Sequence, residues 1–545
     1  MDQALYIPPP KLSGHPLAVR LFLPACLAFI ALAQVWIVSA GYEGMPQYSD
    51  NYSRLATGFL HGELGFLVRP SPQLLALPDP YDPVANHFYR WHDAVLYNGR
   101  YYLYWGPVPA LLIAAVSGAI GDRTPTIGDQ YLVIAFVLGT TALAAILITQ
   151  IRARFFPHQP VWSAALPILS LGLGTPVMYM LARGAVYEAA IASGQFFLMA
   201  GLVAAWFGLS GPRPRPALLA TAGVCWACSA GSRDSLPPAL AAMAVLTTVV
   251  LIRRKRLSPS PCTQGEGWGE GSSRTPRNSL QEKRTPLPSP LPAYRERRLN
   301  FLLALWAPLL AGAAALAWYN FARFGSITEF GWHYQLQVID QRKLPSSAFV
   351  SLRFVPPNLL FYLFNPPSWT STFPYFLPVG DRSWLAGLFG LTHKYRVEDI
   401  VGLIWSQSFL IFAPLMFFVR RENKNQQSKG ADNPDAYLRK WMIASLLAAA
   451  AVGFLPILFF GGLTTMRYEM DLVPCAMVLA AIGYWRTIDR LSKHPLLTQL
   501  INTACWLLVI AQCAMGILIG IEGQFLQNNY PLLKTLHGIF PRIDL

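Results

Sequence analysis

Charge is scarce in this chain. Of 545 residues only 13% are Asp, Glu, Lys or Arg, whereas 53% are hydrophobic, and mean hydropathy is +0.35. Such a balance excludes an ordinary soluble enzyme and describes a polytopic membrane protein, because roughly 20 apolar residues suffice to cross a bilayer. Cysteine is sparse as well, with seven in all. Cys26, Cys225, Cys228, Cys475, Cys505 and Cys513 fall in or beside apolar segments and Cys262 in a basic loop, so neither a disulfide framework nor a thiolate metal site is supported. Cys225 and Cys228 have CxxC spacing, but inside an apolar helix packing explains them. His61, His87, His92 and His333 lie in polar stretches with no HxH or HExxH spacing among them. No cofactor is expected, and a divalent metal has no support from spacing. No glycine-rich phosphate loop follows a strand, and there is no soluble nucleotide-sugar domain.

The apolar windows predict about eleven membrane helices, at about 21–41, 129–150, 160–182, 187–209, 215–231, 236–252, 300–319, 398–419, 440–461, 469–486 and 499–521. With the N-terminus inside, the basic pairs Arg152 and Arg154, Arg213 and Arg215, Arg420 and Arg421, and the run from Arg253 to Arg256, all fall in cytoplasmic loops. The net charge of +15 therefore reports topology and gives no reason to expect nucleic acid. The first segment, after Lys11 and Arg20, is too long for a signal-peptide core and is expected to remain as an anchor. Residues Tyr101 to Ile120 are apolar too, but a span there would invert every later loop. Their Tyr101, Tyr102, Tyr104 and Trp105, with Pro107 and Pro109, suit a segment lying in the outer interface.

Three parts follow: an N-terminal membrane module over 1–252, an insertion over 253–298, and C-terminal membrane helices over 299–545. The insertion is rich in Pro, Gly, Ser and Arg and cannot form a packed core, so it is expected to be a disordered cytoplasmic loop. The outer loops 42–128 and 320–397 instead carry many Tyr, Trp, Phe and Pro with scattered Asp, Arg and His, and should build the site.

Ionisable residues are nearly absent from the interiors of the predicted spans, unlike those of ion-driven transporters. Asp129, Glu188, Asp399, Glu469 and Asp471 all fall at outer ends. That distribution describes a reaction centre at the outer surface. Asp50, about ten residues past the first segment, is the carboxylate best placed for chemistry, although an Asp just after a membrane helix is commonly a solvated or capping group.

Asp50 is followed by Tyr52 and by Leu55-Ala-Thr-Gly58, and then by Tyr97-Asn-Gly-Arg-Tyr-Tyr-Leu-Tyr-Trp-Gly-Pro-Val-Pro-Ala110. Further along come Arg183-Gly-Ala-Val-Tyr-Glu188, Tyr319-Asn-Phe-Ala-Arg-Phe-Gly325, Glu329-Phe-Gly331 and Arg467-Tyr-Glu-Met-Asp-Leu-Val-Pro474. In this order the chain resembles membrane glycosyltransferases of the GT-C superfamily, such as the dolichyl-phosphate-mannose protein mannosyltransferases and the lipid A aminoarabinose transferase. It departs from them at Asn51, where many members carry a second acid.

The resemblance implies transfer of a sugar, with inversion, from a polyprenyl-phosphate donor to a lipid, glycan or protein acceptor. The expected location is the outer face of a bacterial cytoplasmic membrane. A single displacement needs one base for the acceptor proton, and Asp50 is expected to supply it. The leaving phosphate calls for guanidinium groups; Arg54, Arg100, Arg183, Arg233, Arg323 and Arg467 are available, with Arg233, Arg467 and Arg183 preferred. An ion pair of Arg233 with Asp234, or of Arg467 with Glu469, is the plainer alternative. Glu188 is assigned to the acceptor or to orienting an arginine, although a helix N-terminus also favours an acid there. Tyr52, Tyr102 and Trp105, with Trp332 and Tyr334, suit sugar stacking or lining of the polyprenyl groove, although interfacial anchoring is the more common role of such residues. A flippase and a non-catalytic scaffold of the same fold are the rival readings.

Overall fold

The computed structural model describes residues 17–253, 292–379, 387, 389–390, 395–418 and 434–543. The expected insertion lies outside the described residues except at its ends, where a helix already begins at Pro292. The regular structure of the described chain is almost wholly helical, with two short two-stranded sheets.

Among the described residues, seven helices are long and apolar enough to cross a membrane: 21–38, 129–155, 161–182, 186–210, 299–324, 435–459 and 495–528. They occupy seven of the eleven expected windows. The windows at 215–231 and 236–252 hold shorter helices, α9 (Pro216–Ala230) and α10 (Pro237–Arg253), of 15 and 17 residues, or about 22 and 25 Å at 1.5 Å per residue. The window at 398–419 is broken into Leu403–Ser406, Ser408–Ile411 and Phe412–Phe418. The window at 469–486 opens as a 3-10 turn, Met466–Asp471, before Val473–Arg490. The apolar segment near 101–120 becomes a hairpin and a 12-residue helix, α4 (Val108–Ala119), which at about 18 Å is too short to span alone. It packs against α2 (Asn51–Leu60), so the first outer loop carries a pair of short juxtamembrane helices.

Local chemistry explains several boundaries. α5 (Asp129–Phe155) begins with Asp129 and ends with Arg152 and Arg154, charges that complement its dipole. The segment 161–182 breaks at Gly174, where the backbone is extended, into α6 (Ala165–Leu173) and α7 (Thr175–Ala182), with Pro176 in the first turn of α7. Buried amides join the helices there: Ser170 Oγ donates to Gln407 Oε1 at 3.0 Å, Gln512 bonds Ser170, and Gln34 Nε2 reaches Gly172 O at 2.7 Å. In lipid such bonds help hold helices together, because hydrocarbon offers polar groups no other partner.

The helices alternate in direction, so ionisable residues gather at two ends. Arg154 meets Asp435 at 2.6 Å and His158 meets Asp489 at 2.5 Å at one end. The other end holds Asp50, Arg183, Glu188, Arg233 and Arg467, beside the two long loops 42–128 and 320–397 that the sequence analysis expects to lie outside. Those loops are laced together by backbone. β1 (Val95–Tyr97) and β2 (Arg100–Tyr102) form an antiparallel hairpin whose Asn98 and Gly99 both have positive φ, 48° and 68°, as a two-residue Asn-Gly turn requires. Asp93 N donates to Leu336 O at 3.0 Å, and Leu336 N to Ala94 O at 2.9 Å.

Candidate active site

Asp50 sits at the N-cap of α2, yet its side chain makes no capping bond. Asp129, fully buried, does that work: its carboxylate accepts the N–H of Asn51 at 3.1 Å, the N–H of Tyr52 at 3.2 Å and the Ser49 hydroxyl at 2.5 Å. A capping acceptor supplied from another helix releases Asp50 from the role expected of it. Its Oδ1 instead accepts from Arg54 Nε at 2.6 Å, and Arg54 lies 5.2 Å from the Trp91 ring centre. The Asp50 segment is pinned to the next element by Ser49 Oγ, which accepts from Val186 N at 3.0 Å, and by Tyr48, whose hydroxyl donates to Ala182 O at 2.9 Å. Asp50 therefore stands beside the turn that carries Arg183 and Glu188.

Beyond that turn lies a buried charge cluster. Arg467, 1% exposed, places Nη1 2.8 Å from Glu398 Oε2 and 3.5 Å from Glu188 Oε1. Arg183 approaches the same Glu398 oxygen at 3.6 Å. Burial disfavours the charge on Arg467, but Glu188 and Glu398 outweigh it and hold its pKa above the ordinary arginine value. Arg467 Nε is buried without a hydrogen-bond partner, as is Glu188 Oε2. Orphaned donors and acceptors on charged groups in one cluster are costly and are a common mark of a site built for something else to bind.

Arg233 is more fully committed. Its Nε and Nη2 lie 3.2 and 2.9 Å from Asp471 Oδ2, which also accepts from Ser235 at 3.1 Å, while Gln195 donates to Oδ1 at 3.2 Å. Its sequence neighbour Asp234 is farther, at 3.9 Å and exposed. Burial again opposes the charge, and Asp471 with Asp234 keeps its pKa raised. Both arginines face Tyr468, with guanidinium carbons 5.6 Å (Arg467) and 5.0 Å (Arg233) from its ring centre. Arg467 also lies 4.9 Å from the Tyr187 ring, which meets Trp105 edge to face at 4.6 Å. Glu188, Arg183, Arg467, Arg233 and Trp105 thus belong to one continuous wall.

Other expected residues are placed elsewhere. Tyr102 packs with Phe324 at 5.5 Å in a separate aromatic cluster with Val95. Tyr52 is fully buried, its hydroxyl unpartnered and its pKa pushed well up by burial and by Asp129. Arg323 is spent on structure, bonding Leu103 O at 2.8 Å and lying 3.8 Å from the Tyr319 ring centre. Arg100 pairs with Glu63 at 2.5 Å. Arg467 pairs with Glu398 and Glu188, whereas Glu469, fully buried, has no hydrogen-bond partner for either carboxylate oxygen.

Sequence reasoning missed Glu398, Asp93 and the capping role of Asp129. Glu398 is set by backbone pairing of 396–398 with Thr464, whose N–H donates to Arg396 O at 2.9 Å and whose carbonyl accepts from Glu398 N at 2.8 Å. Asn358 locks that pairing, accepting from Tyr395 and from Thr464, both at 2.7 Å. Asp93 adopts φ 64°, unusual for a residue with a side chain. Burial pushes its carboxyl up against the pull of His92, Gln337 and Arg467. The only sequence signal was that all three are acids near predicted span ends or in the outer loops.

No family model matches the chain, and no curated protein does. Among solved structures it is similar to an oligosaccharyltransferase of Archaeoglobus fulgidus tethered with an acceptor peptide, at 10% identity and TM-score 0.41, over 92% of this chain and 56% of that one. It is also similar to the oligosaccharyltransferase AglB of the same organism in complex with an inhibitory peptide and a dolichol-phosphate, at 13% identity and TM-score 0.42, over 97% of this chain and 61% of that one. The chain therefore spans less than two thirds of the length of these proteins.

Proposed function

We propose that the chain is an integral membrane glycosyltransferase that moves a sugar from a polyprenyl-phosphate donor to an acceptor at the outer face of the cytoplasmic membrane. The observation that carries this reading is the convergence of Asp50, Arg183, Glu188, Arg467 and Arg233 at one end of an apolar bundle. These residues arrive from four separate stretches of sequence, and the wall includes Trp105, Tyr187 and Tyr468. The sequence resemblance to GT-C glycosyltransferases supports the same reaction class.

Asp50 takes the proton from the acceptor nucleophile, the nucleophile attacks the anomeric carbon, and the bond to the phosphate oxygen breaks with inversion. Charge then develops on the leaving polyprenyl phosphate. Guanidinium groups held in place before the reaction stabilise such charge best. Arg183, half-exposed and weakly held at 3.6 Å, and Arg467, with an orphaned Nε, are the cations best placed to receive it. Arg233, tied to Asp471 by two nitrogens, serves as a fixed positive wall behind them. Trp105 and Tyr187 line the sugar side, and the bilayer itself presents the polyprenyl chain.

The deciding experiment assays Asp50→Asn in proteoliposomes with polyprenyl-phosphate sugar donors, after confirming normal insertion. Loss of transfer supports Asp50 as base. Undiminished transfer sinks that assignment, and absence of transfer by the native chain with every donor favours the flippase or scaffold reading.

A further inference from the structure

One carboxylate oxygen touches both cations that the proposed reaction gives to the phosphate. Glu398 Oε2 lies 2.8 Å from Arg467 Nη1 and 3.6 Å from Arg183 Nη1. The cluster has a deep side and an outer side. On the deep side Glu188, its side chain fully buried, lies 3.5 Å from the same Arg467 nitrogen, and the Tyr187 and Tyr468 ring centres lie 4.9 and 5.6 Å from the guanidinium carbon. On the outer side the Glu398 side chain is 28% exposed and that of Arg183 43%. Arg467 is thus fixed from behind, and Glu398 stands between it and Arg183 where the cluster is accessible. The backbone of Glu398 is held by Thr464, whose carbonyl accepts from Glu398 N at 2.8 Å. Beyond that backbone the side chain turns about single bonds with several staggered states, so its carboxylate can leave the cations while the chain stays in place.

Carboxylate and phosphate oxygens take the same guanidinium donors in the same geometry. A sugar joined to a polyprenyl phosphate is a phosphodiester with a single negative charge, the charge that Glu398 carries, so exchanging one for the other preserves the balance of the two arginines with Glu188 and one further anion. We infer that the Glu398 carboxylate holds the place of a donor phosphate oxygen between Arg183 and Arg467, that the donor displaces it, and that it returns as polyprenyl phosphate leaves. The inference rests on the donor proposed above. Glu398 is then a competitor of the ligand, and the contact that stabilises the fold weakens donor binding. A purely structural ion pair has the opposite sign, because its loss loosens the site and weakens binding.

The test is equilibrium binding of farnesyl phosphate, with farnesol as the phosphate-free control, to the full chain in detergent. The native chain should bind farnesyl phosphate more tightly than farnesol. Glu398→Gln and Glu398→Ala should each bind farnesyl phosphate about threefold to tenfold more tightly than the native chain, the range set by releasing a partly exposed ion pair, and should leave farnesol binding unchanged. Adding Arg183→Gln to Glu398→Gln should remove most of the gain, because the ligand then loses one of the two cations. Glu63→Gln removes an outer-loop carboxylate of similar exposure, 33%, paired with Arg100; its affinity should match that of the native chain. If the native chain prefers farnesyl phosphate and both Glu398 variants bind it equally or more weakly, or if Glu63→Gln gives the same gain, the inference is overturned and the donor reading stands. If the native chain and every variant bind farnesyl phosphate no better than farnesol, the donor reading fails and the inference with it.

Discussion

Arg467 Nη1 lies 2.8 Å from Glu398 Oε2, across 69 residues of sequence. The guanidinium is buried, whereas Glu398 is partly exposed, at 28%. Removing the carboxylate leaves Arg467 with Glu188 at 3.5 Å as its remaining carboxylate partner. Breaking a buried pair costs more than breaking a surface pair, and the exposure of Glu398 reduces the penalty. Glu398→Ala should therefore destabilise the protein by about 1–2 kcal/mol, read as a lower Tm in detergent. Glu398→Gln, which keeps a hydrogen-bond acceptor, should recover part of the loss. No change in Tm for either variant would show that the pair contributes nothing to stability.

The division of labour between Asp50 and Asp129 leads to opposite phenotypes. Asp129→Ala removes the acceptor of two backbone N–H groups and of Ser49, and should lower stability by about 1–2 kcal/mol. Asp50→Asn removes a partly exposed partner of Arg54, so its stability cost should stay under about 1 kcal/mol. Its transfer rate should fall by about 10² to 10⁴. Thermal unfolding and transfer assays on both variants separate the roles; a Tm drop for Asp50→Asn as large as that for Asp129→Ala would show that Asp50 is structural.

Much of the bundle is legible in the apolar windows because crossing hydrocarbon demands length and apolarity from each helix on its own. The expected spans 129–150, 160–182 and 187–209 correspond to helical segments at 129–155, 161–182 and 186–210. The window at 398–419 reads as one run, but the chain breaks at Gln407, whose φ is −145°, and Gln407 accepts from Ser170 on another helix. That break depends on a long-range partner, which no local window contains. The same holds at the site. Arg233 suggests Asp234 by proximity in sequence, yet pairs with Asp471, because the turn between α9 and α10 packs against the Met466–Asp471 turn. The Asn98-Gly99 hairpin is missed by the reading of apolar windows, although its two-residue turn chemistry is local.

The outer loops are tied together by Asp79, which accepts from Arg342 Nη2 at 2.6 Å and from Lys343 at 3.0 Å. Desolvation raises its pKa, but Lys343, the Tyr81 N–H and Arg342 together lower it from 3.8 to about 2. Asp340, on the same two cations, is lowered as well. A depressed folded-state pKa means that the tether is present above the ordinary carboxylate range and is lost as pH falls through the folded value. Hydrogen exchange of residues 338–345 should therefore stay slow from neutral pH to about 4 and rise between about 4 and 2. Asp79→Asn should show the faster exchange already at neutral pH. Equal protection in that variant would mean that the tether does not hold the loop.

Gly106 is the point where the first outer loop touches the turn that carries Arg233. Val108 N donates to Gly231 O at 3.1 Å, and a Cβ on Gly106 would lie 2.1 Å from that oxygen and 2.5 Å from its carbon. Both obstacles are backbone, so no side chain can swing aside. Gly106→Ala must push the 231–233 turn away from the loop, and the displacement loads the Arg233–Asp471 pair that begins two residues later. Overpacking of this kind costs about 1–3 kcal/mol, and under the proposed function a misplaced guanidinium wall would weaken stabilisation of the leaving phosphate. Gly106→Ala should accordingly lower both Tm and transfer rate, while Gly44→Ala, where nothing lies within 4 Å, should change neither. If Gly106→Ala matches the native chain in both measurements, the loop and the turn are not in contact in the membrane, and the outer loop does not help to position Arg233.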